Sequence, residues 1–106
     1  MKKYKYIWTV KSECGPVRKK NEDSIFPLES GSSGTSIKAG VFDGMGGHKK
    51  GEVASDLASK TMYKDFDNIT DYVKTANRDI LEYQSSNDDA KGMGTTMTVV
   101  EISQDG

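Results

Sequence analysis

The stretch that most constrains this chain is Val41-Phe42-Asp43-Gly44-Met45-Gly46-Gly47-His48. An apolar run stops at a single carboxylate, glycine recurs at Gly44, Gly46, Gly47 and Gly51, and a helical pattern then begins. Ile37, Ala39, Val41 and Phe42 predict a buried strand that ends at Asp43. Glycine is needed where backbone turns with positive φ or lies close to a ligand. An acid at such a mouth between strand and helix is well placed to hold a cation. The same pattern also describes an ordinary glycine-rich loop with an Asx-type turn. Two nucleotide-binding templates fail on these residues. The dinucleotide fingerprint GxGxxG would need glycine at Lys49, and the phosphate loop lacks its glycine before a lysine.

With 106 residues the chain holds one domain at most, spanning residues 1–106, and is long enough for a core of its own. Hydrophobic residues make up 34% and charged residues 29%, and mean hydropathy is −0.68. Such polarity predicts a modest core, or surface that a partner should cover. Net charge is −1 with a pI near 5.8, which argues against a dominant nucleic-acid or anionic-membrane surface. The single cysteine, Cys14, precludes an intrachain disulfide and a thiolate metal cluster, and reads as a small half-buried thiol. The basic start Met1-Lys2-Lys3-Tyr4-Lys5-Tyr6 leads into no apolar core of signal-peptide length, and no transmembrane run exists. The expectation is a soluble, cytoplasmic protein.

In chain order, Tyr4 to Val10 alternates aromatic and β-branched residues and predicts a first strand, which Gly15-Pro16 breaks. Ile25, Phe26 and Leu28 predict a second, which Pro27 confines to an edge or an end. Ser30 to Ser36 reads as a flexible hairpin or loop with no core-forming residue. A third strand covers Ile37 to Phe42. Val53, Ala54, Leu57, Ala58, Met62 and Phe66 then fall at helical steps and mark one apolar stripe to about residue 66. Asn68 or Thr70 can cap a second helix whose stripe is Tyr72 or Val73, Ala76, Ile80 and Tyr83. Arg78 and Glu82 pair on its wet side. After the glycine turn Gly92-Met93-Gly94, Thr95 to Ile102 is the most β-prone segment. A β-rich strand followed by Asp105-Gly106, with no return strand, reads as the front part of a larger domain with an unpaired edge.

Arg18, Glu22, Asp23 and Asp43 are the residues that matter together. Three carboxylates from two strand ends can form an all-oxygen site, suited to Mg²⁺ or Mn²⁺ rather than zinc. An arginine beside such a site can bind two phosphate oxygens at once, so the set points to phosphoryl chemistry with a metal-activated water. The plainer reading makes Lys19, Lys20, Glu22 and Asp23 a solvated charge run in a loop.

Three segments resemble motifs of the protein phosphatase 2C family, the metal-dependent serine/threonine phosphatases. Gly15-Pro16-Val17-Arg18-Lys19-Lys20-Asn21-Glu22-Asp23-Ser24 resembles the opening motif. Asp43 to His48, continuing through Gly51-Glu52-Val53-Ala54-Ser55, resembles the second in its bacterial form, and Gly92-Met93-Gly94-Thr95-Thr96 the third. Together they cover residues from about 12 to 102, in the family's order.

The resemblance implies an α+β fold, an incomplete part of an α-β-β-α sandwich of antiparallel sheets flanked by helices. It implies hydrolysis of phosphoserine and phosphothreonine in phosphoprotein substrates by a water activated between two Mg²⁺ or Mn²⁺ ions. Asp43 would bridge the two ions, the Gly44 carbonyl would ligate one, and Glu22 and Asp23 would act near them directly or through water. Arg18 would hold the substrate phosphate. Animal members carry a histidine directly after the Asp-Gly pair, where this chain has Met45; His48 is then either a general acid or a residue that shapes the glycine loop. The Thr95 and Thr96 hydroxyls would bond locally to backbone. Later family motifs supply further aspartates, and Asp71, Asp79, Asp88, Asp89 and Asp105 match none of them. Weak or absent activity is therefore expected of this chain alone. The alternative is a non-catalytic phosphatase-like module that binds a partner or pairs with itself through the open Thr95–Ile102 edge.

Overall fold

The computed structural model describes residues 4–45 and 50–103. The strands are β1 Tyr6–Trp8, β2 Asp23–Phe26, β3 Gly31–Ser33, β4 Ile37–Met45, β5 Gly94–Thr95 and β6 Thr98–Ile102, and the helices are α1 Gly51–Lys60 and α2 Ile69–Ser86. β4 is the centre of the main antiparallel sheet. β2 pairs along one side of it and β5 and β6 along the other. Gly44 faces Thr95 and Val41 faces Thr98, so β5 and β6 continue one register along β4.

Alternation along β4 divides the sheet into two faces. Gly40, Phe42 and Gly44 are buried against the helices, whereas Val41, Asp43 and Met45 point away from them and are exposed. The core lies between this inner face and α1 and α2: Phe42, Ala54, Ala58, Met62, Tyr72, Ala76, Ile80, Ala90 and Met93. Small residues let α1 lie close to the strand. It presents Ala54, Ser55, Ala58 and Ser59, all buried, toward the sheet and α2.

Several boundaries depart from the sequence pattern, each for a local reason. The third strand does not stop at Asp43; it runs on to Met45, because hydrogen bonds engage it on both sides. The first strand shrinks to three residues because its partner, β3, offers only three. That partner lies inside the Ser30–Ser36 segment expected to be a loop. Gly31 leaves room there for the Trp8 ring, whose Nε1 donates to the Glu29 carbonyl at 2.9 Å. Ser103 accepts a hydrogen bond from the Tyr6 hydroxyl, joining this small sheet to the end of β6. The second strand begins two residues earlier than its apolar residues suggest and ends just before Pro27.

α1 ends at Lys60 rather than near residue 66. A 3₁₀ turn follows over Thr61–Tyr63, with the Thr61 hydroxyl bonded to the Ala58 carbonyl at 2.7 Å. Lys38 Nζ, reaching over from β4, donates to the Lys64 carbonyl at 2.8 Å and holds the chain out of helical course. Phe66 still joins the core, edge-on to Tyr72 with ring centroids 4.9 Å apart. Of the two candidate caps for α2, Asn68 serves: its side-chain oxygen accepts from the Asp71 amide at 3.1 Å. Tyr72 rather than Val73 turns inward, and Arg78 meets Glu82 at 4.0 Å on the wet side.

Phe42→Ala should lower unfolding free energy by about 3–5 kcal/mol, as for other fully buried phenylalanines. Its neighbour Val41 is 55% exposed, and Val41→Ala should cost less than about 1 kcal/mol. Urea denaturation of the two variants checks the assignment of the faces; equal losses would contradict it.

Candidate functional site

The site is built from a backbone contact. The Gly44 amide donates to the Glu22 carbonyl at 3.0 Å, which makes Glu22 and Gly44 a hydrogen-bonded antiparallel pair. The next pair along, Asp23 and Asp43, is then non-hydrogen-bonded, the type in which side chains stand closest. Two carboxylates thus face each other across β2 and β4, on the face turned away from the helices.

Gly44 tolerates no side chain. A Cβ there would lie 2.2 Å from the Gly51 carbonyl oxygen and 2.5 Å from that of Glu22. On Gly51 a Cβ would stand 2.5 Å from Glu22 Oε2. The two glycines therefore bring the first turn of α1 against β4, with the Glu22 carboxylate beside it. The partial positive charge of a helix N-terminus favours a carboxylate in that position. Ser55, fully buried on α1, donates to the same Glu22 carbonyl at 2.7 Å and sits 3.0 Å from the Ser24 hydroxyl.

Other contacts hold the remaining parts. Asn21 Oδ1 accepts from the Asp23 amide at 3.1 Å, and its Nδ2 donates to Ser12 Oγ at 2.8 Å. On the far side of β4, the Thr96 amide donates to the Asp43 carbonyl at 2.9 Å, and Thr96 Oγ1 accepts from the Asp43 amide at 3.1 Å. Thr95 bonds locally, its hydroxyl donating to the Thr96 carbonyl, as expected. Thr96 instead reaches across the sheet, which sequence alone did not reveal.

Arg18, Glu22, Asp23, Asp43 and Gly44 all line one cleft of about 220 Å³, together with Cys14 and Lys20 among others. Arg18 Nη1 stands 3.9 Å from Glu22 Oε1; the arginine side chain is 75% exposed and the glutamate 15%. Cys14, which is exposed rather than half-buried, donates its Sγ–H to the Arg18 carbonyl at 3.1 Å. His48, Gly46 and Gly47 lie outside the described residues.

The electrostatics follow from this crowding. Desolvation pushes the Asp23 carboxyl above the usual aspartate range, and the facing Asp43 adds to it through a shared hydrogen bond and like-charge repulsion. Arg18 opposes the shift and Glu22 adds slightly to it. Two carboxylates held face to face repel each other, and a cation between them would relieve that repulsion. Carboxylate and carbonyl oxygens suit a hard divalent ion. Glu22 leans toward α1, however, and among the described residues no three His, Cys, Asp or Glu side chains gather closely enough to hold a metal. The donor chemistry fits a divalent cation, of whose shell the facing aspartates would supply part.

Sequence reasoning missed Asn21, Ser55 and Thr96 as braces, although all three stand inside the segments that carry the motifs. Ser55 and Thr96 bond to backbone far away in sequence, which no spacing rule exposes; Asn21 bonds the Asp23 amide two residues on, which an Asx-turn pattern could have signalled.

Comparison with known proteins points the same way. No family model matches the chain. The serine/threonine protein phosphatase PstP of Mycobacterium tuberculosis is 33% identical over 102 residues, which cover 88% of this chain and 18% of that protein. The serine/threonine phosphatase stp of Listeria monocytogenes is 28% identical over 107 residues, covering 89% of this chain and 42% of the relative. A crystal structure of the M. tuberculosis phosphatase superposes with a TM-score of 0.72 at 28% identity, over 94% of this chain and 42% of that one. The catalytic domain of PstP in complex with two manganese ions superposes at 0.66, again at 28% identity, over 91% of this chain and 41% of that one. The chain thus spans from about a fifth to two-fifths of the length of these curated relatives.

The folded state binds the Asp23 proton more tightly than the unfolded chain does. The associated stabilisation is complete below the ordinary aspartate pKa and is lost as pH rises through the raised, folded value. Asp43→Asn should bring Asp23 back toward its usual range and flatten that part of the stability–pH curve. Carboxyl-carbon NMR titration and urea melts across mildly acidic pH check this; an Asp23 titration unmoved by the substitution would contradict the pairing.

Proposed function

For a chain that is a relative of the bacterial protein phosphatase 2C family, matching its amino-terminal portion, we propose a part in metal-dependent hydrolysis of phosphoserine and phosphothreonine in proteins. The observation that carries this reading is the convergence of Asp23, Asp43 and Arg18 on one cleft of about 220 Å³. Two Mg²⁺ or Mn²⁺ ions held there would neutralise phosphate charge and lower the pKa of an attacking water. Asp43 and Asp23 would be ligands, with the Gly44 carbonyl as a further oxygen and Glu22 acting beside them.

Arg18 binds the substrate phosphate. Its guanidinium is exposed, and the Glu22 carboxylate stands 3.9 Å away, too far for a tight bidentate pair. It can therefore turn its planar fork to two phosphate oxygens with little to give up. His48 remains the nearest candidate for a general acid, or else shapes its loop. The reading places the protein in the cytoplasm, in signalling. Among the described residues no helix is long and apolar enough to cross a membrane.

A second reading is favoured by the outer edge of β6, which pairs only with β4 among the described residues. On it, the chain is a non-catalytic module that pairs with itself or a partner through that edge.

Calorimetry should detect Mn²⁺ binding to the chain that Asp43→Asn abolishes; unchanged affinity in the variant would remove the aspartate from the metal shell. With p-nitrophenyl phosphate and Mn²⁺, turnover should be far below that of a complete relative and lost in Arg18→Ala. Turnover equal to a complete relative's, or indifferent to Arg18, would overturn this account. Light scattering separates the second reading: concentration-dependent dimers that Val100→Lys disperses would favour it.

A further inference from the structure

We propose that the groove along the outer edge of β2 receives an extended, uncharged segment of the phosphoprotein substrate, flanking the phosphorylated residue. The inference rests on the phosphatase reading and gives that site its specificity surface.

The groove encloses about 500 Å³ between the segment 10–13, β2 and the C-terminal half of α1. That volume falls within the range of about 300–1,000 Å³ typical of binding sites. Asp23 lines both this groove and the cleft that holds Asp43 and Arg18, so the two are continuous. A chain entering the cleft with its phosphate would run directly into the groove.

The backbone of β2 is arranged to meet it. Because Glu22 and Gly44 form a hydrogen-bonded pair, Ser24 and Phe26 spend their amides and carbonyls on β4. Asp23 and Ile25 direct theirs the other way. The Asp23 amide is taken by Asn21, which leaves Ile25 as the residue presenting a donor and an acceptor to the groove. An extended peptide adds to such an edge through main-chain bonds, and alternate side chains then select sequence.

Side chains define the occupant's chemistry. The charges around the groove are already matched within the chain: Lys60 to Asp56 at 2.7 Å and Lys11 to Glu13 at 3.2 Å. Apart from Asp23, which belongs to the cleft where the phosphate would bind, no unmatched charge among the described lining residues selects acidic or basic residues. Leu28 is 66% exposed and Tyr63 63% exposed, although both line the groove, and they offer apolar contact to a partner. The preferred segment is β-prone, uncharged and adjacent to the phosphorylated residue.

The test is NMR on the ¹⁵N-labelled full chain. The probes are a phosphothreonine peptide with valine at alternate positions, its unphosphorylated twin, and inorganic phosphate with Mg²⁺. The unphosphorylated peptide should shift the amides of Ser24, Ile25 and Lys60 and slow exchange of the Ile25 amide. Ile25→Pro removes that N–H at an edge position where proline is tolerated. Leu28→Glu, on an exposed side chain, keeps the fold and puts a charge in the groove. Either substitution should weaken peptide binding about tenfold, the scale of one lost hydrogen bond or contact, and leave the phosphate-induced shifts at Arg18 unchanged. Peptide shifts elsewhere, or none, overturn the groove; if phosphate and Mg²⁺ still perturb Arg18 and Asp43, the phosphatase reading survives that failure. Peptide binding in the groove with no response to phosphate and Mg²⁺ overturns its assignment to substrate and takes the phosphatase reading with it.

Discussion

Everything in the site depends on the contact of two backbones, Gly44 on β4 and Gly51 at the start of α1. The gap between them is too small for a methyl group, since a Cβ on Gly44 would meet the Gly51 carbonyl at 2.2 Å. Closing that gap seats the first turn of α1 on the strand and traps the Glu22 carbonyl between the Gly44 amide and the Ser55 hydroxyl. With Glu22 fixed opposite Gly44, strand register leaves one place for Asp23, opposite Asp43. A slip of one residue would send one of the acids to the inner face, where a carboxylate would be buried without a partner. The arrangement of the acids is thus a by-product of how closely a helix can approach a strand.

The acid pair shares its face of the sheet with Val41, Met45 and, across β6, Val100, all about half exposed. This face lacks the helical cover of the other. The molecule's shape agrees: its shortest extent is 14 Å, and its radius of gyration is 15.3 Å against about 13 Å expected for a compact domain of this length. Solvated apolar strand surface of this kind is normally covered. In a sandwich of two sheets the second layer would lie over Val41 and Val100 and pass beside Asp23 and Asp43. Whatever covers the face would also close one wall of the site. Packing and chemistry are then coupled, because cover over Val41 and Val100, which the segment 8–11 only borders, would also wall the facing aspartates.

The sequence made the centre of this arrangement legible because period-two and period-3.6 patterns report which side of an element is buried. Phe42, Ala54, Ala58, Met62, Tyr72, Ala76 and Ile80 all declare themselves that way, and all are in the core. Where one element hands over to another, the pattern was silent. The extension of β4 past Asp43 depends on Glu22 and Thr96, and the early end of α1 is reinforced by a lysine on β4 reaching Lys64. β3 is built of glycine and serine, so no apolar signal marks it, and it exists because Trp8 needs a flat neighbour. The candidate acids and Arg18 were visible from residue type and motif order. Their facing geometry was not, because it is a property of register, which is set by partners far away in sequence.

In the role proposed for Arg18, a weak interaction would serve a binding site better than a strong one. A buried, bidentate partner would hold the guanidinium in place and would have to be broken before phosphate could bind. Here the carboxylate neighbour sits at the limit of an ion pair, and the side chain is largely solvated. Such a pair contributes little to stability, on the order of 0–1 kcal/mol, and so costs little to exchange. The loop is anchored through its backbone instead, by the Cys14 thiol on the Arg18 carbonyl and by Asn21 on the Asp23 amide. Fixing the main chain while leaving the charged head free keeps the arginine over the cleft and available to an anion. The division holds across the site: its rigidity lies in backbone contacts of Gly44, Glu22 and Asp43, and the side chains that would meet substrate or metal, Arg18, Asp23 and Asp43, line the cleft where they can be reached.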